Sequence, residues 1–301
     1  MPILAGRNAR VLVQGITGRE ASGFVQSSLD LGTRIVAGVT PGKAGWQIHG
    51  VPVFNTVADA QQNEPCDATV IAVPALQACR AATEALQAGL KLLVILTERV
   101  PRRDAAIILE HAREHGAVVI GPNSLGIVSP AVIRIGLVGG SAEALKRAYK
   151  KGPVGIMSRS GGMLTEIANL LTQEGIGQST CVSVGGDPIE GTTFADLLPH
   201  YESDEETRVV VIFCEPGGHM EEELADRLSQ RKSRIPIVAF MAGRFMDRMQ
   251  GVRFGHAAAI VNGNHGSPAR KIERLRAAGV SMAEKISAIP ELVRRVLAEK
   301  N

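Results

Sequence analysis

Short apolar runs alternate with longer amphipathic stretches along the first part of the chain. The apolar runs are not interrupted by alternating polar positions, and each leads into a helical pattern, as in strands covered on both faces. This pattern predicts a parallel, doubly wound βαβ sheet. The predicted strands are RVLVQG, RIVAGVT, ATVIAVP, LLVILT and AVVIGP, and the predicted helices include AATEALQAG and AAIILEHAREHG.

The same pattern restarts after a looser stretch that ends in Lys150-Lys151-Gly152-Pro153. Because this ending is typical of a linker, we predict a first domain over 1–127, a linker over 128–153 and a second α/β domain over 154–301. Strands of the second domain are predicted in VGIMSRSGG, STCVSVGGD, RVVVIFCEPGG and PIVAFMAG. Its helices are predicted over MLTEIANLLTQEG, TFADLLPHYES, EEELADRLSQ, PARKIERLRAAG and PELVRRVLAEK.

The composition limits the classes of protein to which the chain can belong. Of 301 residues, 45% are hydrophobic and 21% charged, which excludes a disordered or fibrous chain. The net charge is only +3, and no basic stripe with interleaved aromatic residues indicates a nucleic-acid partner. No apolar run approaches the ~18–20 residues of a membrane span. The first strand is expected near Arg10, which leaves no room for a signal peptide.

Cysteine usage predicts a reducing, cytoplasmic environment. The chain has 4 cysteines and no CxxC spacing, so we expect neither a metal site nor a disulfide framework. Free cysteines in such a chain behave as small buried apolar residues.

A strand, a Gly-x-x-Gly turn and a helix follow one another in VLVQGITGREASG. Gly15 and Gly18 permit a tight turn that presents N–H groups to a phosphate at the helix N-terminus. A turn without a ligand has the same pattern. The third glycine of GxGxxG and the acidic residue that would bind a ribose are missing, which argues against a nicotinamide oxidoreductase. Lys43 follows a Pro-Gly turn at the ligand-binding edge of the sheet, where it can meet a phosphate or lie solvated in a loop.

Three segments of the second half carry candidate chemistry. SRSGG opens a helix and offers a second set of N–H groups to an anion. Glu215 in FCEPGG follows a strand and can orient a histidine ring, although an exposed turn glutamate has the same pattern. His256 lies between Gly255 and three alanines. Its small neighbours leave room for a nucleophile toward phosphorus, and a structural histidine is the alternative.

Nine segments then match one family, in order over essentially the whole chain. They are QGITG, AGVTPGKAG, GVPVFNTV, LTERVP, IGPNSLGIVSP, SRSGG, GQSTCVSVGGDPIEGTTF, CEPGG and FGHAAAIV. With these segments the chain resembles the alpha subunit of succinate–CoA ligase, which is related to malate–CoA ligase and to part of ATP-citrate lyase. The resemblance implies an N-terminal Rossmann-like CoA-binding domain and a C-terminal flavodoxin-like ligase domain.

The resemblance also implies roles for particular residues. His256 would be phosphorylated by a nucleoside triphosphate, with Glu215 orienting its ring. The phosphoryl group would pass to a carboxylate, and the CoA thiol would attack the acyl phosphate. Asn123 would lie near the thiol. Coenzyme A would bind through Thr17, Gly18, Arg19, Glu20, Lys43, Leu96, Thr97 and Glu98. The phosphate and substrate would be held at Ser158, Ser160, Gly161, Gly162 and Thr165.

The resemblance further implies a partner chain. No second Gly-rich loop with a P-loop lysine is found in the sequence, and the nucleotide-grasp fold of the family belongs to its beta subunit. ATP or GTP with Mg²⁺ would therefore bind that subunit, in an αβ or (αβ)₂ assembly. The chain itself is expected to hold no metal.

Departures from the family pattern lie near the expected acyl and CoA sites. Succinate-specific members read SRSGTLTYE, whereas this chain reads SRSGGMLTE, so Gly162 and Thr165 stand where those members have threonine and tyrosine. The start SRSGG-M instead resembles the citrate-cleaving relatives. Arg19-Glu20 replaces a common Ser-Gln, and AGRFMDRMQGVRFGH replaces a basic segment. A small dicarboxylate such as succinate is the expected acid, with malate, itaconate or citrate as rivals. A non-catalytic CoA-binding protein of the same fold is a further alternative.

Overall fold

The computed structural model describes residues 3–249, 251–252, 255–262 and 265–299. Their strands form two sheets of seven strands each, and helices cover both sheets. The predicted fold class, two tandem doubly wound α/β domains, is confirmed. Gln250, Arg253 and Phe254, which belong to the unusual segment before His256, lie outside the described residues.

The first sheet has the strand order β3-β4-β2-β1-β5-β6-β7. All neighbours are parallel except β3 and β4. The six parallel strands thus follow the 3-2-1-4-5-6 order of a Rossmann fold. The strands are β1 (Arg10–Gln14), β2 (Arg34–Val39), β3 (Gln47–Ile48), β4 (Val51–Phe54), β5 (Ala68–Ile71), β6 (Leu92–Ile95) and β7 (Val118–Ile120), and the helices are α1 (Arg19–Leu29), α2 (Val57–Asn63), α3 (Ala78–Gln87) and α4 (Arg102–Glu114).

The second sheet has the strand order β14-β13-β12-β10-β11-β8-β9. Its five parallel strands follow the 2-1-3-4-5 order of flavodoxin, and β8 and β9 add an antiparallel hairpin beside β11. The strands are β8 (Gly126–Ser129), β9 (Ile133–Gly136), β10 (Lys151–Ser158), β11 (Gln178–Ser183), β12 (Val209–Cys214), β13 (Ile237–Met241) and β14 (Ser281–Ala283). The helices are α5 (Ala142–Ala148), α6 (Gly161–Gln173), α7 (Phe194–Ser203), α8 (Met220–Gln230), α9 (Pro268–Ala277) and α10 (Ile289–Ala298).

The stretch 128–153, predicted as a linker, is instead built into the second sheet. It contains most of the β8–β9 hairpin, helix α5 and the first residues of β10. The hairpin pairs with β11 through Val128 and Cys181. Gly152 and Pro153 interrupt the register between β10 and β11, which is how a proline, which cannot donate a ladder hydrogen bond, is accommodated inside a sheet.

The central strands are buried because helices cover both faces of the sheets. Every residue of β5, β6, β11 and β12 is buried. Burying one Val, Leu or Ile side chain stabilises a fold by ~1.5–3 kcal/mol, so these strands supply much of the core. No helix in the described residues is long and apolar enough to cross a membrane.

Two sets of contacts join the sheets. The buried guanidinium of Arg134 on β9 donates to the Phe24 carbonyl at 3.1 Å and to the Ser28 hydroxyl at 3.0 Å, both on α1. Burial lowers the pKa of Arg134 to about 10. The loop after β7 bonds to the loop after β11, because the Gly121 N–H donates to the Val184 carbonyl at 3.0 Å. The second contact lies directly after β7 and β11 and so brings the carboxyl ends of these two strands together.

Candidate active site

Glu215 and His256 meet at the carboxyl edge of the second sheet. Glu215 directly follows β12, and its Oε2 lies 2.7 Å from Nδ1 of His256. The Glu215 side chain is 11% exposed and the His256 side chain 29% exposed, so the carboxylate is sheltered while the ring reaches solvent. With the proton on Nδ1 donated to Glu215, Nε2 carries the free lone pair. The predicted orienting contact between these two residues is therefore present.

Glycines let the histidine segment approach the sheet. A Cβ on Gly186, in the loop after β11, would lie 2.6 Å from Cγ of His256. A Cβ on Gly217 would overlap the carbonyl oxygen of Ala258, and Gly217 also has φ +73°, a conformation that favours glycine. The His256 ring consequently packs directly against backbone on one side and meets a carboxylate on the other.

Carboxylates and a cation surround a cavity of ≈ 190 Å³ beside the histidine segment. Its lining includes Arg159, Asp187, Glu190 and Ala258. Burial raises the pKa of Asp187, and burial raises the pKa of Glu190 to about 8. Arg159, whose Nε lies 4.0 Å from Glu190 Oε1, opposes this rise. Among described residues, Asp187 Oδ2, Glu190 Oε1 and Arg159 Nε are buried without a hydrogen-bond partner.

The His256 ring is expected to titrate above its ordinary value of about 6.5. Its hydrogen bond to Glu215 raises the pKa, while burial and Arg159 oppose the rise. The pair therefore stabilises the folded state at pH values below about 6.5, and this contribution is lost as the pH rises through the raised pKa. Glu215→Gln should return the pKa toward or below 6.5, as measured by NMR of labelled histidine. His200, exposed on α7, is the internal control, and an unchanged His256 pKa would contradict the assignment.

The SRSGG segment forms the start of α6 as predicted. Ser160 is the N-cap, and its hydroxyl accepts from the Met163 N–H at 3.4 Å. The Ser158 hydroxyl donates to the Ser160 carbonyl at 2.6 Å. Gly161 packs so closely on Leu125 that no side chain fits there, whereas a Cβ on Gly162 would meet nothing within 4 Å. Gly162 is thus the open position of this helix start.

Thr165 lies one turn further along α6. Its hydroxyl is 2.9 Å from the Tyr149 hydroxyl and 3.4 Å from the Gly161 carbonyl. Tyr149 is buried and follows α5. The Thr165 hydroxyl therefore already has protein partners on the side of α6 that faces α5, and its role toward a substrate stays a prediction.

The residues predicted to bind coenzyme A lie at the carboxyl edge of the first sheet. The Thr17 hydroxyl donates to the Thr40 hydroxyl at 3.2 Å, which joins the turn before α1 to the loop after β2. Gly18 is the N-cap of α1 and has no side chain to cap it. Arg19 and Glu20 open that helix and are exposed. The Lys43 ammonium lies 4.0 Å from the centre of the Trp46 ring.

The loop after β6 continues this edge and leads to the second domain. Leu96, Thr97 and Glu98 follow β6, and the Thr97 hydroxyl donates to the Val73 carbonyl at 2.7 Å. The Thr97 carbonyl accepts from the Asn123 N–H at 2.9 Å. The Asn123 side chain in turn donates to Asp187 at 3.1 Å. Asn123 thus connects the predicted coenzyme A residues to the loop that packs against His256.

Sequence patterns do not single out several residues of this site. Arg159, Gly186, Asp187 and Glu190 stand within the segments that match the family, but no pattern distinguishes them from their neighbours. Glu221 and Lys271, buried behind Glu215, carry no sequence signal because they fit the polar faces of ordinary helices. Among the described residues, no group of three or more His, Cys, Asp and Glu side chains is arranged to hold a metal ion.

Comparison with known proteins decides the family. One profile, described as a CoA binding domain, matches residues 7–99, and another, described as CoA-ligase, matches residues 157–281. Subunit alpha 1 of the ADP-forming succinate–CoA ligase of Archaeoglobus fulgidus is 43% identical over 98% of both chains. The chain belongs to the succinate–CoA ligase alpha-subunit family. The resemblance inferred from the sequence is thus confirmed. The domain built on the first sheet is a CoA-binding domain of this family.

Relatives within the succinate–CoA ligase family differ in the acid that they are named for. The ADP-forming sulfoacetate–CoA ligase subunit SqwL of Acholeplasma sp is 38% identical over the full length of both chains. ATP citrate lyase of Methanothrix soehngenii, solved in complex with citrate and coenzyme A, superposes with a TM-score of 0.92 at 27% identity. The match covers 99% of this chain and 51% of that one, so this chain spans about half the length of the lyase.

Proposed function

We propose that this chain is the phosphohistidine-bearing alpha subunit of a nucleoside-triphosphate-dependent acid–CoA ligase. The observation that carries the proposal is the 2.7 Å contact between His256 Nδ1 and the Glu215 carboxylate. This contact fixes the tautomer and leaves Nε2 as the nucleophile. A histidine that served only the packing of the protein would need neither a sheltered carboxylate on Nδ1 nor access to solvent.

The reaction then follows three displacements. Nε2 of His256 attacks the γ-phosphorus of the nucleoside triphosphate, the bond to the β-phosphate oxygen breaks, and a nucleoside diphosphate leaves. A carboxylate oxygen of the acid attacks the same phosphorus, the N–P bond breaks, and an acyl phosphate forms. The thiol of coenzyme A attacks the acyl carbon, the C–O bond to the phosphate breaks, and the thiol proton leaves with the phosphate as the thioester forms. The Glu215 carboxylate accepts the hydrogen bond from Nδ1–H throughout.

Two N–H-rich helix starts fit the two anionic species. The start of α1, with Thr17 and Gly18, would hold a phosphate of coenzyme A, and the open position at Gly162 on α6 would face the mobile phosphoryl group. Asn123 bonds to Thr97 at the edge of the first sheet and to Asp187 in the second domain. We place the thiol end of coenzyme A near Asn123 for this reason.

A beta subunit with a nucleotide-grasp domain completes the enzyme in this proposal. The relatives are named as subunits of ligases, and ATP or GTP with Mg²⁺ would bind the partner. An αβ or (αβ)₂ assembly would bring the nucleotide to His256, whose side chain is 29% exposed.

The acid substrate is proposed to be small and to carry a second anionic group. Succinate and sulfoacetate, the acids in the names of relatives, share one carboxylate to be activated and a second charged group. Malate, itaconate and citrate are the alternatives that the SRSGG segment keeps open.

The first experiment is acid-labile phosphorylation of the αβ complex. The complex is incubated with γ-labelled ATP or GTP and Mg²⁺, the label is mapped by mass spectrometry, and it is chased with coenzyme A and each acid. Label on His256 that one acid discharges would support the ligase and identify its substrate. A folded complex that binds coenzyme A but takes no label from ATP or GTP would refute the ligase and leave a CoA-binding protein.

Lys43→Ala is expected to weaken coenzyme A binding by about 10- to 100-fold in Kd, because a charge-assisted bond to phosphate contributes ~1.5–3 kcal/mol. Calorimetric titration measures the Kd, and the fluorescence of Trp46, the chain's only tryptophan, is a second readout. Lys91→Ala is the matched control, since Lys91 precedes β6 at the opposite edge of the same sheet. If the two variants bind coenzyme A with equal affinity, Lys43 does not bind its phosphate and is a solvated loop residue.

A further inference from the structure

Three charged side chains are buried directly behind Glu215. We call Arg159, Glu221 and Lys271 the buried ionic cluster; their side chains are 1%, 0% and 0% exposed. Arg159 follows β10, Glu221 lies in the first turn of α8, and Lys271 lies in α9. A charge removed from water is destabilising unless it is paired and hydrogen-bonded, so the partners of these groups indicate what the cluster does.

Most partners of the cluster are backbone atoms of the Glu215–Gly217 turn. The Lys271 ammonium donates to the Gly217 carbonyl at 2.5 Å and to the Glu215 carbonyl at 3.2 Å. Arg159 donates to the same Gly217 carbonyl at 3.0 Å. Two buried cations therefore hold the carbonyl side of one short turn.

The carboxylate of the cluster, Glu221, binds an N–H group of the same turn. Oε1 of Glu221 accepts from the Glu215 N–H at 3.0 Å, and its Oε2 pairs with Lys271 at 2.5 Å. Burial alone would raise the pKa of Glu221, but Lys271 and Arg159 outweigh burial and lower it. Glu221 is thus ionised and fixes the N–H of Glu215 while the cations fix its carbonyl.

The turn that the cluster holds contacts His256 and the chain that follows it. The Glu215 side chain extends from the turn to Nδ1 of His256. Gly217 packs against the Ala258 carbonyl so closely that a Cβ would overlap it. Its N–H also donates to the Gly266 carbonyl at 2.9 Å. A shift of the turn would therefore move the carboxylate and the histidine segment together.

Fold stability does not account for such a cluster. Replacing a buried ion pair by uncharged residues of similar volume is often neutral or stabilising. An ion pair that joins the same two helices at the surface already exists, between Arg274 on α9 and Asp226 on α8. The buried pair adds what the surface pair does not have, namely hydrogen bonds to the backbone of the Glu215–Gly217 turn.

We propose that Glu221 and Lys271 are positioning residues that hold the Glu215–Gly217 turn, and through it the Glu215 carboxylate, in register with His256 Nδ1. The inference rests on the proposed phosphohistidine function for its kinetic consequence. Its geometric consequence, the bond between Glu215 and the His256 ring, is independent of that function.

The test is the double variant Glu221→Gln/Lys271→Met in the αβ complex. Glutamine keeps a carbonyl oxygen for the Glu215 N–H, and methionine fills the volume of the lysine stem. We expect a folded protein whose rate of His256 phosphorylation falls by about 10- to 100-fold, as for a reacting group displaced by a fraction of an ångström to 1 Å. Coenzyme A affinity should not change.

A second readout separates positioning from a merely structural role. The pKa of His256 is raised by Glu215 and opposed by burial and Arg159, with Asp187 adding a smaller rise. When the turn is released, Glu215 no longer holds Nδ1, and the pKa of His256 should fall. The matched control is Asp226→Asn/Arg274→Met, which removes the surface pair between the same helices and should leave the rate and the pKa unchanged.

Each outcome decides the inference. A folded double variant with wild-type rate and wild-type His256 pKa would overturn it. If the double variant does not fold, Lys271→Met alone, which removes both lysine bonds to the carbonyls of the turn and leaves Glu221 beside Arg159, is measured by the same criteria. If the wild-type complex takes no phosphoryl label, the proposed function fails, and the fall in the pKa of His256 still tests the positioning role.

Discussion

His256→Ala is expected to abolish acid-labile phosphoryl label on the αβ complex. The variant removes the Nε2 lone pair, and among the described residues no other histidine has a carboxylate at Nδ1 together with a glycine-lined approach. Coenzyme A affinity should stay within a factor of about two, since the predicted coenzyme A residues lie on the first sheet, and changes at sites without shared contacts act independently. The measurement is the amount of label per complex that is retained in base and lost in acid.

His200→Ala is the control for this loss. His200 is exposed on α7 and has no predicted role, so the control variant should take label at the wild-type rate. Label that persists in His256→Ala would move the phosphoryl acceptor to another residue and reduce His256 to a structural histidine. Loss of coenzyme A binding together with label would mean that the substitution disturbed the fold.

Gly186→Ala is expected to slow phosphorylation of His256 by about 100-fold, the penalty for misplacing a reacting group by ~1 Å. The new Cβ would lie 2.6 Å from Cγ of the ring, so the ring must move away from the sheet and lengthen its bond to Glu215. The ring can turn outward, because its side chain is 29% exposed, so the loss of stability should be small. Single-turnover labelling measures the rate, and the His256 pKa should fall.

Gly23→Ala is the matched control for the added methyl group. Gly23 lies in the middle of α1, and a Cβ there would meet nothing within 4 Å. Alanine favours a helix over glycine by ~1 kcal/mol, so this variant should be labelled at the wild-type rate and be at least as stable as the wild type. A Gly186→Ala enzyme that retained wild-type rate and pKa would show that the ring accommodates the methyl group without losing Glu215.

The fold can be predicted where burial acts on whole strands. Runs such as ATVI and LLVI lie between helices on both faces, so almost every position is apolar and the parallel sheet can be predicted from the sequence. The β8–β9 hairpin escapes prediction because its segment contains Pro130 and several glycines and ends in a Lys-Lys-Gly-Pro sequence, all typical of linkers. β14 escapes prediction because three residues carry too short a pattern, and its pairing with β13 decides its conformation.

The candidate site can be predicted only where chemistry and local pattern coincide. Glu215 follows a predicted strand and His256 follows Gly255. The family resemblance pairs the two residues but gives no distance between them. Lys271 cannot be found in this way. In PARKIERLRAAG it occupies one polar position among several, and only the packing of α9 on α8 places it, and not Arg274, in the interior. Burial of a charge depends on tertiary neighbours that a helical pattern does not contain.

The β8–β9 hairpin has a practical consequence for anyone who divides this chain. All six residues of β11 are buried, and β8 occupies its outer side. A fragment that began at residue 154 would expose β11 as a sheet edge with unpaired N–H and carbonyl groups, a template for edge-to-edge aggregation. A fragment that began at Ser124, whose hydroxyl donates to the Ser183 carbonyl at 2.5 Å, would keep strand β8 paired with β11. Soluble expression of the second domain should therefore depend on the stretch 124–153, most of which lies outside its parallel core.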